Sequence, residues 1–475
     1  MEAGGNIDQS LLPRQENDNN SQHIFSWEGI GDEMKKLGYI AGPMVAVTIS
    51  QYLLQIISVM MVGHLDELAL SSTAVAVSIA NVSGFSILLG LACALETIGG
   101  QAYGAKQYKK LGSQTYTGIF CLMLVCIPLS ILWIYMERVL IFLGQDPQIS
   151  HEAGKYLTYL VPALIASAAL QPLIRYFQMQ SMILPLLVSS CFTICFHIPI
   201  CWVLVYKTAL RNCGGAVALG LSFWLNVVFL GSFMKYSPSC TKTRSNISME
   251  IFRGIKEFFR LAIPSAVMIC VEWWSYEMLV LLSGLLPNPQ LETSVLSVCL
   301  NTTSMLYAIP FGLSAAVSTR VSNELGAGNP HGAKMSVVTV MVLAVMEMII
   351  LDTILFSSRH VFGYVFSNEM EVIDYVTEMA PLLCLFIIMD AVQGVLSGVA
   401  RGCGWQQIGA YINIIAFYLF GFPVSGLLCF LLQFRAKGLW IGVIVGAGLQ
   451  NIALATITSF TNWEAQAIKA RQRLS

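Results

Sequence analysis

Two carboxylates lie deep within stretches that are otherwise almost wholly apolar. Glu272 lies in the middle of the apolar run 258–284, and Asp390 lies deep in the run 375–398. On insertion scales a charged side chain at the bilayer centre costs about 2.5–3.5 kcal/mol, so its presence asks for a function. Neither acid has a Lys or Arg within one helical turn. Such a group can cycle between protonated and charged forms. With carbonyls and hydroxyls beside it, it can instead hold a metal cation such as sodium. The chemistry on offer is the uptake and release of a small cation.

The neighbours on each helix face extend this reading. Asp390 heads a stripe of Gln393, Gly394, Ser397, Gly398 and Arg401, small and polar as a cavity wall should be. Glu272 shares its face with Tyr276 and Leu279. Glu277 is five residues on, about 140° around the helix, and points elsewhere; it stays a cavity candidate only. Trp273, Trp274, Tyr276, Tyr307 and Phe311 cluster near the acids in sequence. They form either an aromatic pocket that attracts cations or ordinary helix packing. Asn301, Thr302 and Thr303 make a polar notch toward the cavity or a neighbouring helix. Glu347 and Asp352 lie on different faces and read as neighbour-facing or snorkelling groups outside the coupling chemistry. Glu96 reads as a structural cap or loop anchor. His197, alone among apolar residues, reads as a hydrogen-bonded core histidine.

The chain repeats itself, and the copies differ at these acids. Leu37-Gly-Tyr-Ile-Ala-Gly-Pro43 precedes Ser50-Gln51, and Leu261-Ala-Ile-Pro264 precedes Glu272. The two prolines stand 221 residues apart, which sets Glu272 on Gln51. Tyr156-x-Thr158-x-x-x-Pro162 recurs as Tyr375-x-Thr377-x-x-x-Pro381, which sets Asp390 on Gln171. One half thus carries acids where the other carries neutral amides. Gln51, Gln55 and Gln171 are the candidate cavity residues of the first half, as Gln393, Tyr276, Asn301 and Tyr307 are of the second. Repeats of this kind are the mark of transporters that bind their cargo near the bilayer midplane.

Those side chains need membrane-spanning helices to position them. The chain of 475 residues is 56% hydrophobic and only 11% charged, with mean hydropathy +0.68; a soluble domain is about 25% charged. Twelve apolar runs are long enough to span a bilayer: 38–62, 71–96, 115–136, 156–175, 183–205, 215–236, 258–284, 295–318, 336–357, 375–398, 408–431 and 438–460. Their length argues against a β-barrel. The expected fold is all-α and integral to the membrane, with two six-helix bundles related by a pseudo-two-fold along the membrane normal. Residues 1–36 form a disordered cytosolic tail, closed by either a short interfacial helix from Ser26 to Lys36 or a frayed helix start. The N-lobe covers 37–236, a cytosolic linker 237–256, the C-lobe 257–461, and a cytosolic tail 462–475. Of the 26 Lys and Arg residues, 19 fall on one side of this topology, together with both termini, which makes that side cytosolic. The 13 cysteines lie mostly within apolar runs, in no metal-ligand spacing, and read as buried small hydrophobes. Gly438, Gly442 and Gly446, four apart, let helices approach closely. The net charge of −1 gives no nucleic-acid surface.

Four motifs carry a family resemblance. They are Gly63-His-Leu-Asp-Glu-Leu68, the loop Ala94-Leu-Glu-Thr-Ile-Gly-Gly-Gln-Ala-Tyr-Gly-Ala-Lys-Gln-Tyr108, the loop Arg320-Val-Ser-Asn-Glu-Leu-Gly-Ala-Gly-Asn-Pro330, and Gly398-Val-Ala-Arg-Gly-Cys-Gly-Trp-Gln406. In this order they resemble the multidrug and toxic compound extrusion (MATE) family, plant DETOXIFICATION branch, over roughly residues 37–461. The resemblance implies a secondary antiporter in which cation influx drives efflux of an organic substrate. It also implies an acid in the seventh and in the tenth helix, which fall on Glu272 and Asp390. Asp66 departs from the glycine common in the family, in an outer turn.

The expectation is a proton-driven efflux antiporter for small organic compounds, often cationic or amphipathic, working by alternating access as a monomer at the plasma or vacuolar membrane. Sodium is the alternative ion, and a major-facilitator transporter the alternative class, though its basic loop after the second span is missing. No enzyme, cofactor or metal centre is expected. The chain has no Gly-x-x-x-x-Gly-Lys-Ser/Thr loop for ATP.

Overall fold

The computed structural model describes residues 27–245, 249–365 and 369–474. Residues 1–26, most of the tail read from the sequence, lie outside them. Every regular element among the described residues is helical. Twelve helices are long and apolar enough to cross a membrane. We label them α1 (Glu28–Gly63), α2 (Glu67–Gly104), α3 (Tyr108–Ile134), α4 (Pro147–Met179), α5 (Ile183–Tyr206), α6 (Asn212–Tyr236), α7 (Ile255–Ser283), α8 (Pro289–Ala327), α9 (Pro330–Val365), α10 (Met370–Cys403), α11 (Gln406–Leu431) and α12 (Arg435–Ser459). A final helix, α13 (Trp463–Gln472), follows them within the segment read as a tail.

Several helices run further than the hydropathy suggests. Residues 27–36 do not form a separate interfacial helix; they are the first turns of α1, which runs unbroken to Gly63. Glu33 explains why. Its carboxylate is buried, accepts from Arg320 (2.8 Å) and from Ser336 (2.7 Å), and so ties α1 to α8 and α9. The segment 94–108 is likewise helical as far as Gly104 rather than a loop. Proline shapes α8: Pro310 has no N–H for the carbonyl of Leu306, and the helix breaks at Tyr307 between Pro289–Leu306 and Ala308–Ala327.

By contacts the chain forms two compact units. The first contains Met1–Val45, Gly100–Lys106 and Val267–Ser475; the second contains Ala46–Gly99 and Gln107–Ala266. Two of the four boundaries fall inside α1 and α7, two residues beyond Pro43 and Pro264. They are therefore 221 residues apart, the spacing of the sequence repeat. The linker 237–256 belongs to the second unit, where Thr243 is buried, bonded to the Tyr176 hydroxyl (2.6 Å), and donates to Gln180 (2.8 Å).

The first unit is built on close helix contacts. A Cβ on Gly394, Gly398 or Gly402 of α10 would meet Pro310, Ser314 or Ser318 of α8. Gly438, Gly442 and Gly446 of α12 pack in the same way on α11, against Cys429, Ser425 and Phe417. At one place the repeats cross. Gly104 lies on the backbone of Asn323, and Gly326 lies on the backbone of Gln101. Each residue of one pair is 222 positions from its counterpart in the other.

The ends of α8 and α10 share a design. Each stops at a glycine with positive φ, Gly328 (+77°) and Gly404 (+81°), a conformation that costs glycine nothing. The last carbonyls then accept from α13 and the residue that caps its end: Arg471 donates to Ala327 (2.8 Å) and Arg473 to Cys403 (2.9 Å).

In the second unit, Asp66 caps α2 by accepting from the Ala69 N–H (2.7 Å), and it also pairs with Arg211 (3.1 Å). His197 is fully buried between the hydroxyls of Ser58 (3.1 Å) and Ser222 (2.8 Å), as a core histidine should be. Glu96 is no loop anchor. It forms a buried ion pair with Arg175 at 3.0 Å, and Arg175 also donates to Gln178 (2.6 Å). All thirteen cysteines are free thiols, and ten are buried; Cys191 and Cys195 are instead exposed on α5.

Candidate coupling site

α7, α8 and α10 of the first unit enclose a small pocket lined by Met268, Ile269, Glu272, Trp273, Tyr307, Phe311, Ser397 and Arg401. The break in α8 presents Tyr307, and Phe311 follows one turn later, so proline chemistry helps to build the aromatic wall. Glu272 contributes a carboxylate that is 5% exposed. Arg401 lies across the same pocket and donates to Ser314 Oγ (2.7 Å). The sequence offered no cation within a helical turn of either acid; Arg401 reaches Glu272 from another helix, within electrostatic range.

Asp390 is 7% exposed and lies within electrostatic range of both Glu272 and Glu347. Tyr276 lies among Asp390, Glu272 and Tyr307, and its buried hydroxyl has no hydrogen-bond partner. Gln393 of α10 and Gln450 of α12 lie against the Glu272 carboxylate, both fully buried, and neither amide completes a hydrogen bond of ordinary geometry. Buried amides and hydroxyls left in this condition leave unused bonding capacity beside the acids.

The α10 stripe divides by role. Ser397 and Arg401 line the pocket, whereas Gly394 and Gly398 are packing surface against α8 and leave no room for a cavity. Glu277 is half-buried and does not line the pocket. Asn301 is exposed, and Thr302 and Thr303 bond back to their own helix at Val298 (2.7 Å) and Cys299 (3.1 Å). Gln51, Gln55 and Gln171 lie in the second unit; Gln55 donates to Asn81 (3.2 Å). Sequence reasoning missed Gln450 and the approach of Arg401 to Glu272. The amide pair Gln450-Asn451 in an otherwise apolar span was the available signal for Gln450. No local spacing signals the second.

A twelve-span, all-helical membrane fold with polar groups gathered inside one repeat is an architecture that suits a solute transporter. The family model described as MatE matches the chain twice, over residues 43–203 and 264–427, so the matches begin at the two repeat prolines. Protein DETOXIFICATION 12 of Arabidopsis thaliana is 56% identical over 479 residues, covering 100% of this chain and 98% of that protein. Protein DETOXIFICATION 14 of the same plant is 59% identical over 453 residues, covering 95% and 93%. The crystal structure of the eukaryotic MATE transporter AtDTX14 superposes with TM-score 0.91 at 59% identity, covering 94% of this chain and 100% of that one. An outward-facing multidrug resistance MATE transporter shares the fold at 13% identity, with TM-score 0.81 over 93% and 97%. The chain belongs to the MATE family, among relatives of the plant DETOXIFICATION type, and is a multi-pass membrane transporter of small organic substrates.

Proposed function

We propose that this transporter expels organic, often cationic, amphipaths by exchange for protons, with Glu272 and Asp390 as the coupling acids. The observation that carries the reading is that the two acids, from α7 and α10, lie within electrostatic range of one another, with Glu272 in the lining of a small aromatic pocket, while the repeat-related positions carry Gln51 and Gln171. The name DETOXIFICATION carried by relatives at 56% and 59% identity supports the efflux direction.

In the mechanism, deprotonated Glu272 and Asp390 with Trp273, Tyr307 and Phe311 favour a cationic amphipath. Proton uptake from the outer side removes the negative charge and changes what Arg401 faces. Substrate leaves outward, the access alternates, and the proton leaves to the cytosol. Exchange requires that proton and substrate compete for the same acids or favour opposite states. The excess of Lys and Arg on one side supports cytosolic termini, in a transporter that works as a monomer in the plasma or vacuolar membrane.

Flux of a fluorescent organic cation into sealed vesicles, under imposed proton or sodium gradients, tests the reading. Wild type should respond to the proton gradient, and Glu272→Gln and Asp390→Asn should each lose gradient-driven exchange. Full exchange in both variants would refute the site. A wild type that answers only to sodium would remove the proton and keep the antiporter.

A further inference from the structure

Glu347 of α9 has no role in the mechanism above, yet the structure does not treat it as a lipid-facing group. Its neighbours Met346, Ile349 and Ile350 are exposed (48%, 58% and 56%), as the lipid face of α9 should be, while Glu347 is 9% exposed. Both of its carboxyl oxygens are buried, and neither has a hydrogen-bond partner. Oxygens in that position must be served by a proton or by water.

The register of α9 against α10 shows where the side chain stands. The helices are antiparallel: the Arg359 carbonyl accepts from Thr377 (3.1 Å), and Gly363 lies against Ile373. Four residues along one helix match four back along the other. Continued inward, this step sets Asp352 opposite Cys384 and Glu347 opposite Met389, next to Asp390. Asp352 does face Cys384, which checks the register midway, and Glu347 lies within electrostatic range of Asp390. Glu347 is not part of the pocket lining. It lies within electrostatic range of Asp390 along the α9–α10 seam.

We propose that Glu347 is a third proton-carrying residue of the coupling site, exchanging a proton with Asp390 along the α9–α10 seam. The step moves one proton from the Asp390 carboxyl to the Glu347 carboxylate and leaves the total charge of the pair unchanged. Its use is to clear Asp390 of its proton ahead of substrate binding; the proton then leaves the protein before the substrate is carried, as exchange requires. Asp352, nearer the α9–α10 turn, is the next acid along the same seam. The inference rests on the proton-antiport reading.

The test is a count of protons per substrate in proteoliposomes, taken from the proton gradient that just balances an imposed ethidium gradient. Glu347→Gln, which mimics the protonated acid, should carry one proton fewer than wild type without a change in ethidium KM; Glu347→Asp should restore the count. A Glu347→Gln protein with the wild-type count overturns the inference and leaves the antiport reading intact. A wild type driven by sodium alone removes both. Should the amide variant not fold, the protonated-carboxyl infrared band of Glu347→Asp is compared with wild type: a shifted band supports the assignment and an unshifted spectrum overturns it.

Discussion

Arg175 and Glu96 show what a charge needs to survive inside the bilayer. They are 2% and 0% exposed and form an ion pair at 3.0 Å. Removing one member of such a pair strands the other, at a cost of about 3–5 kcal/mol. Arg175→Met is therefore expected to lower the thermal unfolding midpoint in detergent, and Glu96→Gln/Arg175→Met together should lower it less than Arg175→Met alone. Equal midpoints for all three proteins would show the pair to be dispensable. At this scale the sequence exposed the acids themselves, because hydropathy makes any carboxylate in an apolar run conspicuous. It did not expose their partners. Arg175 reaches Glu96, and Arg401 reaches Glu272, across helix interfaces that local spacing does not encode. Glu347 reads from the sequence as a neighbour-facing or snorkelling group, because it and Asp352 lie on different faces and their repeat-aligned region holds no acid; only α10 beside it brings Asp390 into view.

The helices carry a second layer of information. All twelve spans were visible as apolar runs, because length and composition alone define them. Their ends were less visible. Gly99, Gly100, Gln101 and Gly104 look like loop residues, yet α2 continues through them because Gln101 finds the Gly402 carbonyl (3.3 Å) and the glycines admit close neighbours. The small residues of α10 were ambiguous for a related reason. Small side chains suit a cavity and a tight helix crossing equally, and only the position of α8 decides between them. Gly398→Ala would drive its methyl into the Ser314 carbonyl and should destabilise by about 1–3 kcal/mol, the usual cost of overpacking; a lowered unfolding midpoint reports it. Pro310→Ala should act differently. It supplies the missing N–H to Leu306, heals the break in α8 and turns Tyr307 away from the pocket. Weaker binding of a cationic dye with unfolding temperature maintained or raised is the expected outcome.

For the molecule as a whole, the contact boundaries and the family match repeat at one interval. The units divide after Val45 and after Ala266, and the matches start at residues 43 and 264. That agreement was legible from Pro43 and Pro264 alone. The role of α13 was not: a short polar helix after the last span looks like a tail, and the arginines at its end become informative only beside the carbonyls they cap. Removing residues 462–475 exposes those carbonyls and should lower the thermal midpoint; an unchanged midpoint would show the caps to be idle. Thiol chemistry gives a global check of the burial. Apolar maleimides should modify Cys191 and Cys195 in the folded protein and reach Cys201, which is fully buried, only after denaturation.

The crossing of Gly104 over Asn323 and of Gly326 over Gln101 has one further consequence. A patch that contacts its own copy is the geometry of a symmetric dimer. Here a single polypeptide makes a self-complementary seam of that kind between its own repeats, and both sides lack a side chain there. Alanine at either glycine should therefore be penalised to a similar degree, a symmetry that paired mutagenesis can read.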